Sequence, residues 1–262
     1  MSTLTITRIA HSSVLIDFDG HRVLTDPWFS ERDGYYHGEP YGITLETLPR
    51  LDGVAVSHDH YDMEAFQAYP DKQVPIAVIR GAEETARQVG FRNVIGMETW
   101  ETTTFGPITI TAAPGKHSVP EITYLLQADG LTVYFGGDTL LIPELSEIPQ
   151  RFGRVDVALL AINGLQIRPM NNLQVVMNPQ DAAEFCRMSQ PRYAVPIHYT
   201  YTAGPIKDRE LLKYAGTPKE MLQEFQQAVA QCAPETTVRI LVPGEPFQVI
   251  TDGNSESKVE RE

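Results

Sequence analysis

Ser57-His58-Asp59-His60-Tyr61-Asp62 packs two imidazoles and a carboxylate into five residues, directly after Leu51-Asp52-Gly53-Val54-Ala55-Val56. The preceding run is short, apolar and β-branched, which predicts a buried strand. Residues at i and i+2 beyond a strand end can point into the same pocket. Imidazole nitrogen and carboxylate oxygen form the ligand set that holds zinc, manganese or iron at neutral pH. Three more ligand-type residues follow at wide spacing, each at the end of an apolar segment: His117, Asp138 and His198. Asp138 follows Gly136-Gly137, where missing side chains let the backbone turn sharply and approach an ion closely. Three histidines with an open coordination position suit a catalytic ion better than a structural one.

That order, His-x-His-x-Asp and then His, Asp and His, resembles the metallo-β-lactamase superfamily of metal-dependent hydrolases. The resemblance spans most of the chain. It implies a first metal site on His58, His60 and His117, often bridged by Asp138. It implies a second on Asp62, the residue after it, Asp138 and His198. The family usually has histidine after the aspartate, whereas this chain has Met63. A thioether is a soft, weak ligand for hard divalent ions. The resemblance therefore implies one or two ions (zinc, manganese or iron), the second held weakly by Asp62, Asp138 and His198. Asp62 is open to three roles: metal ligand, orienter of the attacking water, or proton acceptor. Met63 packed beneath the following helix is the bland alternative.

His11 in Ala-His-Ser-Ser-Val-Leu, Asp26-Pro27, Pro196-Ile-His-Tyr199 and Val242-Pro-Gly-Glu245 are similar to the branch containing ascorbate-6-phosphate lactonase. In that reading His11 and Asp26 stand behind the ligands. A carboxylate behind a ligating histidine fixes its tautomer, which gives Asp26 a task; a plain turn residue before proline is its other reading. His21 and His37 read as solvent or loop histidines. Asp59 and Tyr61 read as rim residues. Lys116, Arg168 and Lys207 occupy loop-like positions near these ligands or near helix starts. They are candidate contacts for an anionic substrate, or else solvated surface.

Composition narrows the partners. The chain has 262 residues, 34 acidic against 21 basic, and a formal net charge of -13. That balance argues against nonspecific nucleic-acid binding and favours a small-molecule substrate. Self-association is left open. Cys186 and Cys232 lack metal or disulfide spacing, as expected of thiols in a reducing compartment. No basic, apolar leader opens the sequence, and no run approaches the ~20 apolar residues that cross a bilayer. These features lead to the expectation of a cytoplasmic protein.

Patterning predicts strands at 3–9, 14–18 and 21–25, then 74–79, 108–113, 122–127, 131–135, 155–161, 192–197, 238–242 and 247–250. Helices are expected near 63–69, 82–89, 179–188 and within 207–231. Residues 30–42, rich in glycine and tyrosine, form a long loop able to fold over the site. Early strands followed by alternating strands and helices suggest packed sheets with helices outside. The resemblance implies a four-layer αββα sandwich, formed as one domain over 1–253 with a polar tail at 254–262. The expected function is hydrolysis of a small ester, lactone or phosphoester. A nuclease-like phosphodiesterase is the rival, and a ligand-binding member without turnover is the reading from another class.

Overall fold

A computed structural model describes residues 2–250; the tail expected at 254–262 lies outside the described residues. β1 (Thr3–Ala10), β2 (Ser13–Phe18) and β3 (His21–Thr25) form an antiparallel meander. Asp19 and Gly20 both take positive φ in the turn between β2 and β3, as an Asp-Gly pair dictates. β4 (Gly53–Ala55), β5 (Ile76–Ile79) and β6 (Val94–Met97) continue the sheet in parallel. β7 (Thr102–Phe105), β8 (Ile108–Pro114), β9 (Ile122–Ala128) and β10 (Leu131–Phe135) open a second, antiparallel sheet, and β11 (Val157–Ala161) joins it in parallel.

β12 (Gln166–Ile167) and β13 (Leu173–Gln174) begin a small third sheet, and β14 (Tyr193–Ile197) adds to the second beside β11. β15 (Leu212–Lys213) completes the third sheet, β16 (Thr237–Val238) pairs with β14, and β17 (Pro246–Ile250) returns to β1. Two seven-stranded sheets result, ordered β17-β1-β2-β3-β4-β5-β6 and β16-β14-β11-β10-β9-β8-β7.

Strand alternation sets the layers. Leu131, Val133 and Phe135 of β10 point between the sheets, where they meet Leu4, Ile6 and Ile16 of the first sheet. Tyr134 points the other way and stacks on Phe185, with ring centroids 4.6 Å apart. Phe185 lies on α4 (Pro179–Ser189), which with α3 (Glu147–Phe152) and α6 (Pro218–Cys232) covers the second sheet. α1 (Asp62–Ala65) and α2 (Glu83–Gln88) cover the first sheet through Met63, Phe66 and Ala86. α5 (Pro205–Glu210) precedes β15. The layers are therefore α, β, β, α, the sandwich that the resemblance implies.

Asn178-Pro179 starts α4 as its chemistry predicts. The Asn178 side chain accepts from the Asp181 amide, and the Asp181 carboxylate accepts from the Asn178 amide. The strand expected at 238–242 does not form beyond Val238. The Arg8 guanidinium donates to Leu241 O and the Gly244 amide donates to Arg8 O, so this segment crosses to the first sheet instead.

Candidate metal centre

Ligand-type residues gather where strands of both sheets end. His58 and His60 follow β4, His117 follows β8, Asp138 follows β10 and His198 follows β14. His11 sits in the β1–β2 turn and Asp26 just past β3. His11, Asp26 and His198 all take positive φ, at 53°, 32° and 54°. That conformation is uncommon for side chains of this size and clusters at functional sites.

The nitrogens of His58, His60 and His117 lie within 4.8 Å of one another. Two of the rings, His58 and His117, are held from behind. His117 Nδ1 donates to Val175 O at 2.7 Å, which leaves Nε2 as a lone pair facing His60 Nε2 at 3.0 Å. The Ser57 hydroxyl donates to Asp26 Oδ2 at 2.7 Å, so it accepts from His58 Nδ1, 2.8 Å away. The Ser57 amide also donates to Asp26 Oδ1 at 2.7 Å. Asp26 thus orients His58 through Ser57, and the freed His58 Nε2 faces Asp138 Oδ2 at 3.6 Å. Burial lowers His117 and pushes His58 to about 3 and His60 to about 4, so all three rings are neutral near pH ~7, the state in which an imidazole binds a metal.

Asp138 faces a second group. Its Oδ2 lies 2.7 Å from His198 Nε2, and His11, Asp138 and His198 also place ligand atoms within 4.8 Å of one another. Burial alone would raise the Asp138 carboxyl, but His198, His58 and His11 hold it well below its usual range. Its Oδ1 accepts from the Ser12 hydroxyl at 3.1 Å, and its amide donates to Glu121 Oε1 at 2.8 Å. A Cβ on Gly137, which has φ +54°, would sit 2.6 Å from Ser57 Oγ, so only glycine lets this turn close.

The donors suit divalent metal in both groups: three imidazoles in one, two imidazoles and a carboxylate in the other. His11 Nδ1 and His198 Nδ1 are buried without a hydrogen-bond partner.

Several expectations change here. Asp62 is half-buried and lines the same pocket, yet it stands outside both groups. Burial and the charge of Asp138 push it up to about 7. Met63 does not face the pocket: it is 1% exposed and packs in the core with Phe66 and Tyr69. His11, expected behind the ligands, brings a ring nitrogen within 4.8 Å of ligand-type atoms of Asp138 and His198. His37, expected in solvent, is fully buried, its Nε2 3.0 Å from Trp28 O and its Nδ1 3.0 Å from Glu31. Lys116, Arg168 and Lys207 do not line the pocket. Arg168 donates to Leu212 O at 2.6 Å, Lys207 pairs with Asp33 at 2.8 Å, and Lys116 is exposed.

Sequence reasoning missed two carboxylates. Glu121 is fully enclosed, 3.7 Å from His58 Nδ1, and burial raises it well above its ordinary value. Glu39, in the 30–42 loop, pairs with the buried Arg8 and accepts from the His11 amide and the Thr200 hydroxyl, both at 2.9 Å.

The pocket walls are apolar. Trp28, Tyr35, Tyr61 and Tyr201 contribute rings, and the third sheet and its flanks contribute Leu165, Ile167, Val175 and Leu212. The 30–42 loop folds over the site as expected. Tyr35 lines the pocket, and Tyr201 ties the loop down by donating to Gly34 O at 2.9 Å.

The profile of the beta-lactamase superfamily domain matches residues 21–199. The chain belongs to the metallo-β-lactamase superfamily. A protein of Caldivirga maquilingensis named a metal-dependent hydrolase is 27% identical over 249 residues, covering 90% of this chain and 94% of the relative. A metallo hydrolase from Ignicoccus hospitalis superposes with a TM-score of 0.72 at 24% identity, covering 95% of this chain and all of that one. An isothiocyanate hydrolase from Delia radicum gut bacteria gives 0.73 at 18% identity, covering 93% and 98%. The two structural likenesses bear on the fold. Several relatives carry the name metal-dependent hydrolase, and that is the class of enzyme to which this superfamily member belongs.

Proposed function

We propose that this metal-dependent hydrolase acts on a small, uncharged ester or lactone with an apolar flank. The observation that carries the reading is a three-histidine convergence in a pocket walled by aromatic and aliphatic side chains, with no lysine or arginine among the described residues that line it. His58, His60 and His117 would hold a divalent ion (zinc, manganese or iron). Such an ion acidifies a water toward pKa ~7 and polarises the scissile carbonyl. The protein's own contribution is to fix the imidazole tautomers through Ser57 and Val175 O, and to exclude bulk water with the aromatic walls. Asp62, on the wall beside the histidines, takes the proton from the attacking water.

Motif similarity to the ascorbate-6-phosphate lactonase branch supports a lactone. The pocket argues against the phosphate, because a phosphorylated substrate would lack a cationic side chain to receive it. The test is a comparison of neutral aryl esters and alkyl lactones with phosphorylated lactones and phosphodiesters, each with and without chelator. The reading expects chelator-sensitive turnover highest for the neutral, apolar compounds. Preference for the phosphorylated set would overturn it.

A further inference from the structure

We propose that a second divalent cation binds on His11, Asp138 and His198, with His11 supplying the imidazole that position 63 lacks. This deepens the metal-dependent reading above and rests on it. Two independent observations carry it. Met63 is 1% exposed and packed into the outer core with Phe66 and Tyr69, so its sulfur cannot turn to the pocket without unpacking α1. His11, arriving from the first hairpin, places a ring nitrogen within 4.8 Å of ligand atoms of both Asp138 and His198.

The chain fixes His11 in place as a ligand needs to be fixed. Its amide donates to Glu39 at 2.9 Å, and Glu39 is itself clamped by the buried Arg8 and by Thr200. Its carbonyl accepts from the His198 amide, so the two turns are joined by backbone as well as by rings 4.0 Å apart. Trp28 meets the His11 ring at a near right angle, with centroids 4.7 Å apart. Both imidazoles then keep a buried Nδ1 without a partner. Two imidazoles, their rings tilted by 50° to each other, beside one carboxylate form a borderline donor set, suited to zinc, iron or manganese. Asp138 Oδ2 faces this group and, at 3.6 Å, His58 Nε2 of the other. One carboxylate therefore serves both sites.

The test is zinc titration of the chelator-stripped full-length protein by calorimetry, with elemental analysis of each sample after gel filtration. Unmodified protein is expected to take two equivalents. His11→Ala and His11→Gln should each keep the first equivalent and weaken the second by more than about 100-fold, beyond the 10–100-fold that loss of an outer partner costs. Met63→Leu should keep both. Circular dichroism identifies a variant that has not folded, and the glutamine variant conserves bulk should the alanine fail. A second equivalent unchanged in folded His11 variants, or lost in Met63→Leu, would overturn the proposal. So would a single equivalent in unmodified protein that disappears in His117→Ala, while leaving the first site standing. No bound zinc at all would overturn the hydrolase reading as well.

Discussion

Asp138 Oδ2 and His198 Nε2 meet at 2.7 Å although their strands, β10 and β14, are not neighbours; β11 runs between them. The contact forms because both residues lie one step or more past a strand end, where the chain turns over the edge of β11. Gly137 at φ +54° and His198 at φ 54° make those turns. Removing His198 deprives Asp138 of its nearest counter-group and leaves the carboxylate buried beside His58 and His11. His198→Ala is expected to lower turnover by more than about 100-fold, while costing stability only about 1–3 kcal/mol for the lost partner. Paired steady-state kinetics and urea unfolding check this. A variant with full turnover would make His198 an ordinary strand-end residue.

Met63 carries a different signature. As a core residue it should respond to volume: Met63→Ala is expected to destabilise by about 2–5 kcal/mol, and Met63→Leu by less than about 1.5 kcal/mol. Neither should change the metal content of folded protein. Chemical denaturation and elemental analysis of the same samples decide between packing and ligation. A Met63→Ala variant of native stability that has lost metal would reverse the assignment.

The pH dependence of the stripped protein follows from buried imidazoles. Burial lowers His11, His37 and His117 below the ordinary 6.5, and takes His58 to about 3 and His60 to about 4. The unfolded chain protonates these rings near ~6.5, while the folded chain does not. The stability they contribute is therefore present above that value and is lost as pH falls below it. Asp26, Asp62 and Glu121 act with the opposite sign, because burial raises them and the folded state takes up their protons first. Asp59 and Asp156 are raised as well but are half-buried, so between pH ~5 and ~6.5, where the unfolded imidazoles titrate, the five imidazoles set the sign. The urea midpoint of chelated protein should be lower near pH ~5 than near pH ~6.5. An equal or higher midpoint at the acid end contradicts the balance.

The two sheets were legible because their strands alternate, or run fully apolar as at Val157–Ala161, with Asp-Gly turns joining β2 to β3 and β9 to β10. The third sheet was not: two-residue strands such as β12 and β15 carry no periodicity, and only their pairing defines them. β6 and β7 were also missed, the first because Gly96 interrupts it and the second because Thr102–Thr104 is polar and lies at an edge. His58, His60, His117, Asp138 and His198 stood out since each ends an apolar run. The position of His11 did not follow from its neighbours. Its reach depends on a left-handed backbone and on Glu39, whose pairing with Arg8 spans an unrelated loop. Glu121 has no local signal either, since a glutamate opening a strand reads as surface. The pocket's apolar walls come from segments far apart in the chain and exist only in three dimensions.

The central claim is that His58, His60 and His117 hold a metal ion. An anomalous-difference map from zinc-loaded crystals tests it most directly. The account predicts a peak between these three rings, each contributing one nitrogen at ~2.0–2.1 Å. Density elsewhere with none among the three rings, in protein that turns over substrate, would contradict it.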